Sequence, residues 1–285
     1  MRRKYIPVAF LALTVALAGC TQLSGGGEQP DRTFTFTQND GLSISFSAAN
    51  AEFFQDGKYT FTATVTNTGQ AEATVKRMQL FGASWASGSK SPGWKLSPVE
   101  KANELPGEQR SATFRDDIQT NIPQGQSDTY NVGLRTTYSY TSRTRSKITV
   151  MTRERFRDAG TPQKMTNDIK GAPIQIRFDG TTPLPSRGGT VSVPVKVTNV
   201  GDGQLKNQRI KSITVKKEGG TGTECTRSGF RLFEGSRTFT CTVSVPALTG
   251  NNPVPEKTLT LIAKANYDYV EDDTTTVTII GTSGQ

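Results

Sequence analysis

Three cysteines and a complete absence of histidine set the chemistry open to this 285-residue chain. Without imidazole there is no Ser-His-Asp or Cys-His nucleophilic site, no His-ligated zinc and no imidazole proton relay. Carboxylate or lysine chemistry stays formally open, but the chain holds no phosphate-cradling glycine loop, spaced metal-ligand set or nucleophile–base pair. The reading is non-enzymatic, with no catalytic residue, metal or cofactor. Cys225 and Cys241 flank a loop containing Gly229 and Gly235. In an exported protein two such cysteines form a disulfide, whereas a metal or redox pair needs closer spacing or more ligands.

Other residues can bind without reacting. Trp85 and Trp94 sit in a polar segment, Gly82 to Arg110, where aromatic rings can stack on sugars, anchor a partner or fold back onto the body. Arg143, Arg145 and Lys147 alternate, and Arg153, Arg155 and Arg157 resume the odd positions, with Arg135 further back. If one strand continued through them, they would form a basic stripe. Such a stripe either guards an edge against aggregation or meets anionic head groups or envelope polymer. The acidic runs Asp116-Asp117 and Glu271-Asp272-Asp273 lack the spaced oxygens of a calcium loop, and the latter reads as a solvated turn. Its charge, opposed to the basic stripe, also suggests weak head-to-tail self-association.

At the N-terminus, Arg2, Arg3 and Lys4 precede an apolar run from Ile6 to Ala18 broken only by Thr14. The run is too short to span a bilayer as a helix and has the charged start and small-residue end of an export signal. The ending Leu17-Ala18-Gly19-Cys20 resembles the lipobox of prokaryotic lipoproteins. That resemblance implies cleavage before Cys20, lipid on its sulfur, and a protein anchored to the extracytoplasmic face of the cell membrane. An ordinary secretory signal or an uncleaved anchor are the alternatives, and Arg2-Arg3 also loosely resembles a twin-arginine signal. Losing residues 1–19 would remove three of the nine net positive charges. What remains is too weakly basic for a dedicated nucleic-acid binder and suits a membrane surface or anionic polymer.

The elements that must position these residues come in two copies. A shift of 132 positions aligns Leu42-Ser-Ile44-Ser-Phe46 with Ile174-Gln-Ile176-Arg-Phe178, and Val65-Thr-Asn67-Thr-Gly69 with Val197-Thr-Asn199-Val-Gly201. The shift becomes 135 at Val75, Met78 and Leu80, and 129 where Tyr138-Ser-Tyr140 meets Tyr267-Asp-Tyr269. Asp116 stands roughly where Cys241 does, which leaves the first copy without a bridge. Tyr59, Phe61, Ala63 and Val65 alternate with threonines, the pattern of a strand with one buried and one wet face. Such faces need a second layer, so each copy reads as a two-sheet sandwich. Pro194 marks an edge strand or a bulge. The paired tyrosines read as structural, half-buried, with hydroxyls at the rim.

The Val-Thr-Asn-x-Gly motif after an alternating strand resembles the immunoglobulin-like modules of prokaryotic surface proteins, including CARDB-type and archaeal repeats. The resemblance spans 42–151 and 174–280 and implies an exposed spacer or adhesion module with no catalytic residues to carry over. The expected architecture is all-β: a signal peptide (1–19), lipidated Cys20 and tether (20–32), one immunoglobulin-like sandwich (33–151), a linker (152–173) with a helical turn near Met165 to Ile169, a second sandwich (174–280) and a disordered tail (281–285). The segment Thr33 to Thr37 reads as an extra strand or brace. Functionally this is a lipid-anchored adhesion, scaffolding or envelope-organising protein that meets other surface proteins. The alternatives are a glycan or anionic-polymer binder using the 82–110 insert and the basic stripe, and an accessory subunit of an extracellular enzyme.

Overall fold

Alternation of apolar and hydroxyl side chains makes this an all-β chain with a single five-residue α-helix among the described residues. The computed structural model describes residues 41–249 and 254–282. The signal segment, Cys20, the tether, Thr33 to Thr37 and the last three residues of the tail lie outside them. In the first repeat the strands are β1 (Leu42–Ala48), β2 (Glu52–Phe54), β3 (Lys58–Asn67), β4 (Ala73–Phe81), β5 (Ser89–Lys90), β6 (Trp94–Leu96), β7 (Gln109–Asp117) and β8 (Ser127–Met151). After the helix α1 (Arg153–Arg157) come β9 (Gln163–Lys164), β10 (Asn167–Ile169), β11 (Ile174–Phe178), β12 (Thr181–Thr182) and β13 (Leu184–Pro185). The chain continues with β14 (Thr190–Asn199), β15 (Gln204–Lys217), β16 (Cys225–Arg231), β17 (Ser236–Ser244) and β18 (Glu256–Ile280).

The repeat read from the sequence returns as register. Leu42 pairs with Asn67 and Ile174 with Asn199, and Val75 faces Tyr138 as Ile210 faces Tyr267. Each repeat has a three-stranded sheet, β1-β3-β7 or β11-β14-β17. Both lie against the buried face of one ten-stranded sheet with the main order β16-β15-β18-β8-β4-β5.

At the centre of that sheet β8 and β18, each of 25 residues, pair antiparallel along their whole length. At about 3.3 Å per residue the ladder runs roughly 80 Å. The repeats therefore interpenetrate. β2 of the first adds in parallel to the end of β18, and β13 of the second adds in parallel to the end of β8. All described residues fall within one compact unit.

The shared motif has a local job. Asn67 donates to the Ala71 carbonyl and Asn199 to the Gly203 carbonyl, both at 2.9 Å, while Gly69 N–H donates to the Asn67 side chain. Asparagine thus closes the turn that sends each chain from the small sheet to the large one.

Several expectations need correction. Pro194 lies in the middle strand of its sheet without a bulge. Its carbonyl accepts from Asp179 N–H just past the end of β11, so its nitrogen faces a side where the ladder has already stopped. Residues 167–169 are a strand on the edge of β8, and the helix lies earlier, at 153–157, where the Thr152 hydroxyl caps Arg155 N–H. Phe61 faces Phe114 while Val193 faces Cys241, so Phe114, not Asp116, occupies the place of the second cysteine. Glu271, Asp272 and Asp273 lie inside β18 and form no turn.

Candidate functional site

The wet face of the shared sheet gathers most of the residues the sequence singled out. Odd-numbered residues of β8 and even-numbered residues of β18 point outward, opposite the buried tyrosines. At the middle Ser139 pairs with Asp268. Lys76 and Lys211, equivalents in the two repeats, both reach Asp268 Oδ1, at 2.8 and 2.7 Å, and Ser139 Oγ donates to the same atom at 2.6 Å. Burial opposes ionisation of this carboxyl, but the bonds from Lys211, Lys76 and Ser139 outweigh it and hold its pKa down at about 2. The group is a fixed anion that ties β4, β8, β15 and β18 together.

Toward the first repeat the face is neutralised from within. Arg135 and Asp272 are cross-strand partners joined by two bonds, at 2.9 and 2.6 Å. Toward the second repeat it is not. Arg143 pairs directly with Lys264, and the flanking rows bring Arg145, Lys147 and Lys216 onto the same face. Arg145 bonds Glu218; none of the other four takes part in an ion pair among the described residues. Thr141, Asn266 and Ser212 form a hydrogen-bonded polar row between this patch and the Asp268 cluster. Sequence reasoning found the β8 members. It missed Lys216 and Lys264, which only strand pairing brings beside them.

The rest of the basic stripe separates from it. β8 ends at Met151, and Arg153 and Arg155 belong to α1, where alternation no longer places them on one face. Arg155 instead lies 3.6 Å from Glu256.

Trp85 is not presented to a ligand. It is 5% exposed and packs on Tyr59, Phe61 and Tyr130, with ring centroids 5.5–6.3 Å away. Trp94 is half-buried on β6, opposite Val75. The 82–110 insert thus fills and edges the first sandwich. Cys225 and Cys241 do form a disulfide, which joins β16 of the shared sheet to β17 of the small one.

Beneath the wet face lie Tyr138, Tyr140, Tyr267 and Tyr269, all fully buried rather than at the rim. Neighbouring rings in this quartet are 5.7–6.3 Å apart. Their hydroxyls reach Glu271, the Gly171 carbonyl, Ser142 and Asn199. Burial raises all four pKa values, that of Tyr140 to about 12. Among the described residues no cluster of three or more acidic or thiol groups could hold a metal ion, and no helix is long and apolar enough to cross a membrane.

No family model matches this chain, and no curated protein matches it. Among solved structures it is similar to red sea bream transglutaminase at 12% identity and a TM-score of 0.23, over 86% of this chain and 32% of that one. A likeness that slight carries no argument about activity.

Proposed function

We propose that this chain is a non-enzymatic surface lipoprotein, held by Cys20 at the extracytoplasmic face of the cell membrane and acting as a stiff scaffolding or adhesion module. The observation that supports the reading is the 25-step pairing of β8 with β18. Bending one repeat against the other would break ladder hydrogen bonds in the middle of a sheet, so the pair behaves as one beam rather than as beads on a string. A beam of this length holds its two ends, and whatever they touch, at a fixed separation. The export signal, the Leu-Ala-Gly-Cys ending and the Val-Thr-Asn-x-Gly turns add the surface address and the module type.

Cross-linking on intact cells tests this. The native protein should give a small recurring set of envelope neighbours, and Cys20→Ser should lose it as the protein leaves the membrane. The same neighbours from both forms would remove the anchored reading.

A further inference from the structure

The two sandwiches repeat the same strand pairing but are opposite in charge. Residues 41–138 with 269–281 carry nine bases against twelve acids, a net of −3. Residues 139–268 carry twenty-one bases against ten acids, a net of +11. One pair of equivalent positions shows the difference directly. The offset of 129 that relates β8 to β18 carries Arg135 onto Lys264 and Arg143 onto Asp272. In the first sandwich this cross-strand pair is Arg135 with Asp272, a two-point ion pair. In the second it is Arg143 with Lys264, two cations directly opposed.

Like charges directly opposite on a sheet destabilise it. The molecule itself shows how the same place is satisfied when an acid is present. From this internal comparison we infer that the outer face of the second sandwich binds an acidic polysaccharide, with a carboxylate or sulfate group bridging Arg143 and Lys264 where Asp272 sits in the other half. Strands about 4.8 Å apart, with outward residues about 6.7 Å apart along each, set Lys147 and Lys216 on the rows beside that pair, with Arg145 between them held by Glu218 and facing Asp168 on β10. A linear polyanion can cross several of these cations at once.

The surroundings favour a sugar over a lipid surface. Thr141, Asn266, Ser212, Thr214 and Thr260 supply hydroxyl and amide groups between the cations. Ile262, the large apolar residue in these rows, is 4% exposed, so nothing there can insert among acyl chains. The inference does not depend on the anchor or on the scaffold reading.

The test uses the full chain carrying Cys20→Ser, with alginate as the carboxylated probe, neutral dextran as the uncharged one and anionic phospholipid vesicles as the competing surface. Arg143→Asp rebuilds in the second sandwich the ion pair of the first. It should leave the melting temperature unchanged or higher while weakening alginate binding roughly tenfold, the equivalent of about 1.4 kcal/mol. Lys264→Asp pairs with Arg143 in the opposite sense and should do the same, while Arg135→Ala, in the other half, should leave binding within about twofold. Salt should weaken binding by the native chain. Alginate binding untouched by both Asp variants, equal binding of neutral dextran, or tighter binding to vesicles than to alginate would each overturn the proposal.

Discussion

Ser139 and Asp268 are partners in the central ladder and also each other's equivalents in the two repeats. A pseudo-two-fold axis therefore passes between them. Strict symmetry would place two carboxylates or two hydroxyls face to face, and two carboxylates there would repel. The chain breaks the symmetry at this row, as it does where Arg135–Asp272 answers Arg143–Lys264. A single Asp268 serves Lys76 from one repeat and Lys211 from the other, while Ser139 donates to it.

Acid should expose that arrangement. The folded pKa of Asp268 is about 2, below its ordinary 3.8. As pH falls from about 4 to about 2, the unfolded chain takes up this proton before the folded one, so the contribution is full above pH 4 and is lost through that window. With two partly exposed lysines as partners it amounts to about 1 kcal/mol. Asp268→Asn should lower the melting temperature at pH 7 and flatten the dependence between pH 4 and 2. A variant that keeps the native acid slope would assign that slope to another carboxylate.

Heating reports on the shared sheet. Because β8 and β18 run through both sandwiches, neither can lose its large sheet while the other keeps its own. Calorimetry should give one cooperative transition, with its calorimetric and van't Hoff enthalpies in agreement. Ala265→Pro, which removes an N–H facing β8 near the middle of the ladder, should lower that single transition rather than split it. Two separable transitions in the native protein would mean that the sandwiches unfold independently.

The legible part of this fold is the part written locally. Period-two alternation at Tyr59, Phe61, Ala63 and Val65 and the repeated Asn-x-Gly turn depend on neighbours within a few residues. The sharing of a sheet does not. It depends on β8 and β18 choosing each other over partners inside their own repeats, a choice between segments 129 positions apart. The site follows the same division. Arg143, Arg145 and Lys147 stood out by spacing along one strand, whereas Lys264 became a neighbour only through register. The extrapolation to Arg153 and Arg155 failed because Thr152 caps a helix there, a signal visible in the sequence but outweighed by the alternating bases.

Trp85 offered little local clue to its place, since its flanking residues are small alanines and serines and its pocket comes from β3 and β8. Trp85→Ser should destabilise the protein by about 3–5 kcal/mol, the range for emptying a large aromatic site. Its indole N–H has no hydrogen-bond partner among the described residues, so Trp85→Phe removes an unsatisfied donor along with volume and should cost much less. Trp94→Ser, at a half-buried edge position, should fall well below Trp85→Ser. Denaturant unfolding of the three variants checks the order, and a Trp85→Ser protein of near-native stability would place that ring outside the core.

The open edge of the second sandwich is closed by a different device from the first. At the position of Phe114, Cys241 bonds Cys225 across the two sheets, and the seam continues with Arg227 over Phe239 at 5.7 Å and Arg237 over Phe230 at 4.8 Å. The disulfide closes a loop of about 15 residues, worth about 3 kcal/mol through the unfolded chain. The stacked arginine–phenylalanine pairs remain when it is gone, each contributing about 0.5–1 kcal/mol at such an exposed site. Cys225→Ser with Cys241→Ser should therefore fold, with a lower melting temperature. Adding reductant should bring the native protein down to the double variant's value and leave the variant unmoved. Adding Arg237→Ala to the double variant should lower it again, whereas in the bridged protein the covalent link holds the edge and the same change should matter less. Equal losses in both backgrounds would show that the bridge and the stacked pairs act independently along this seam.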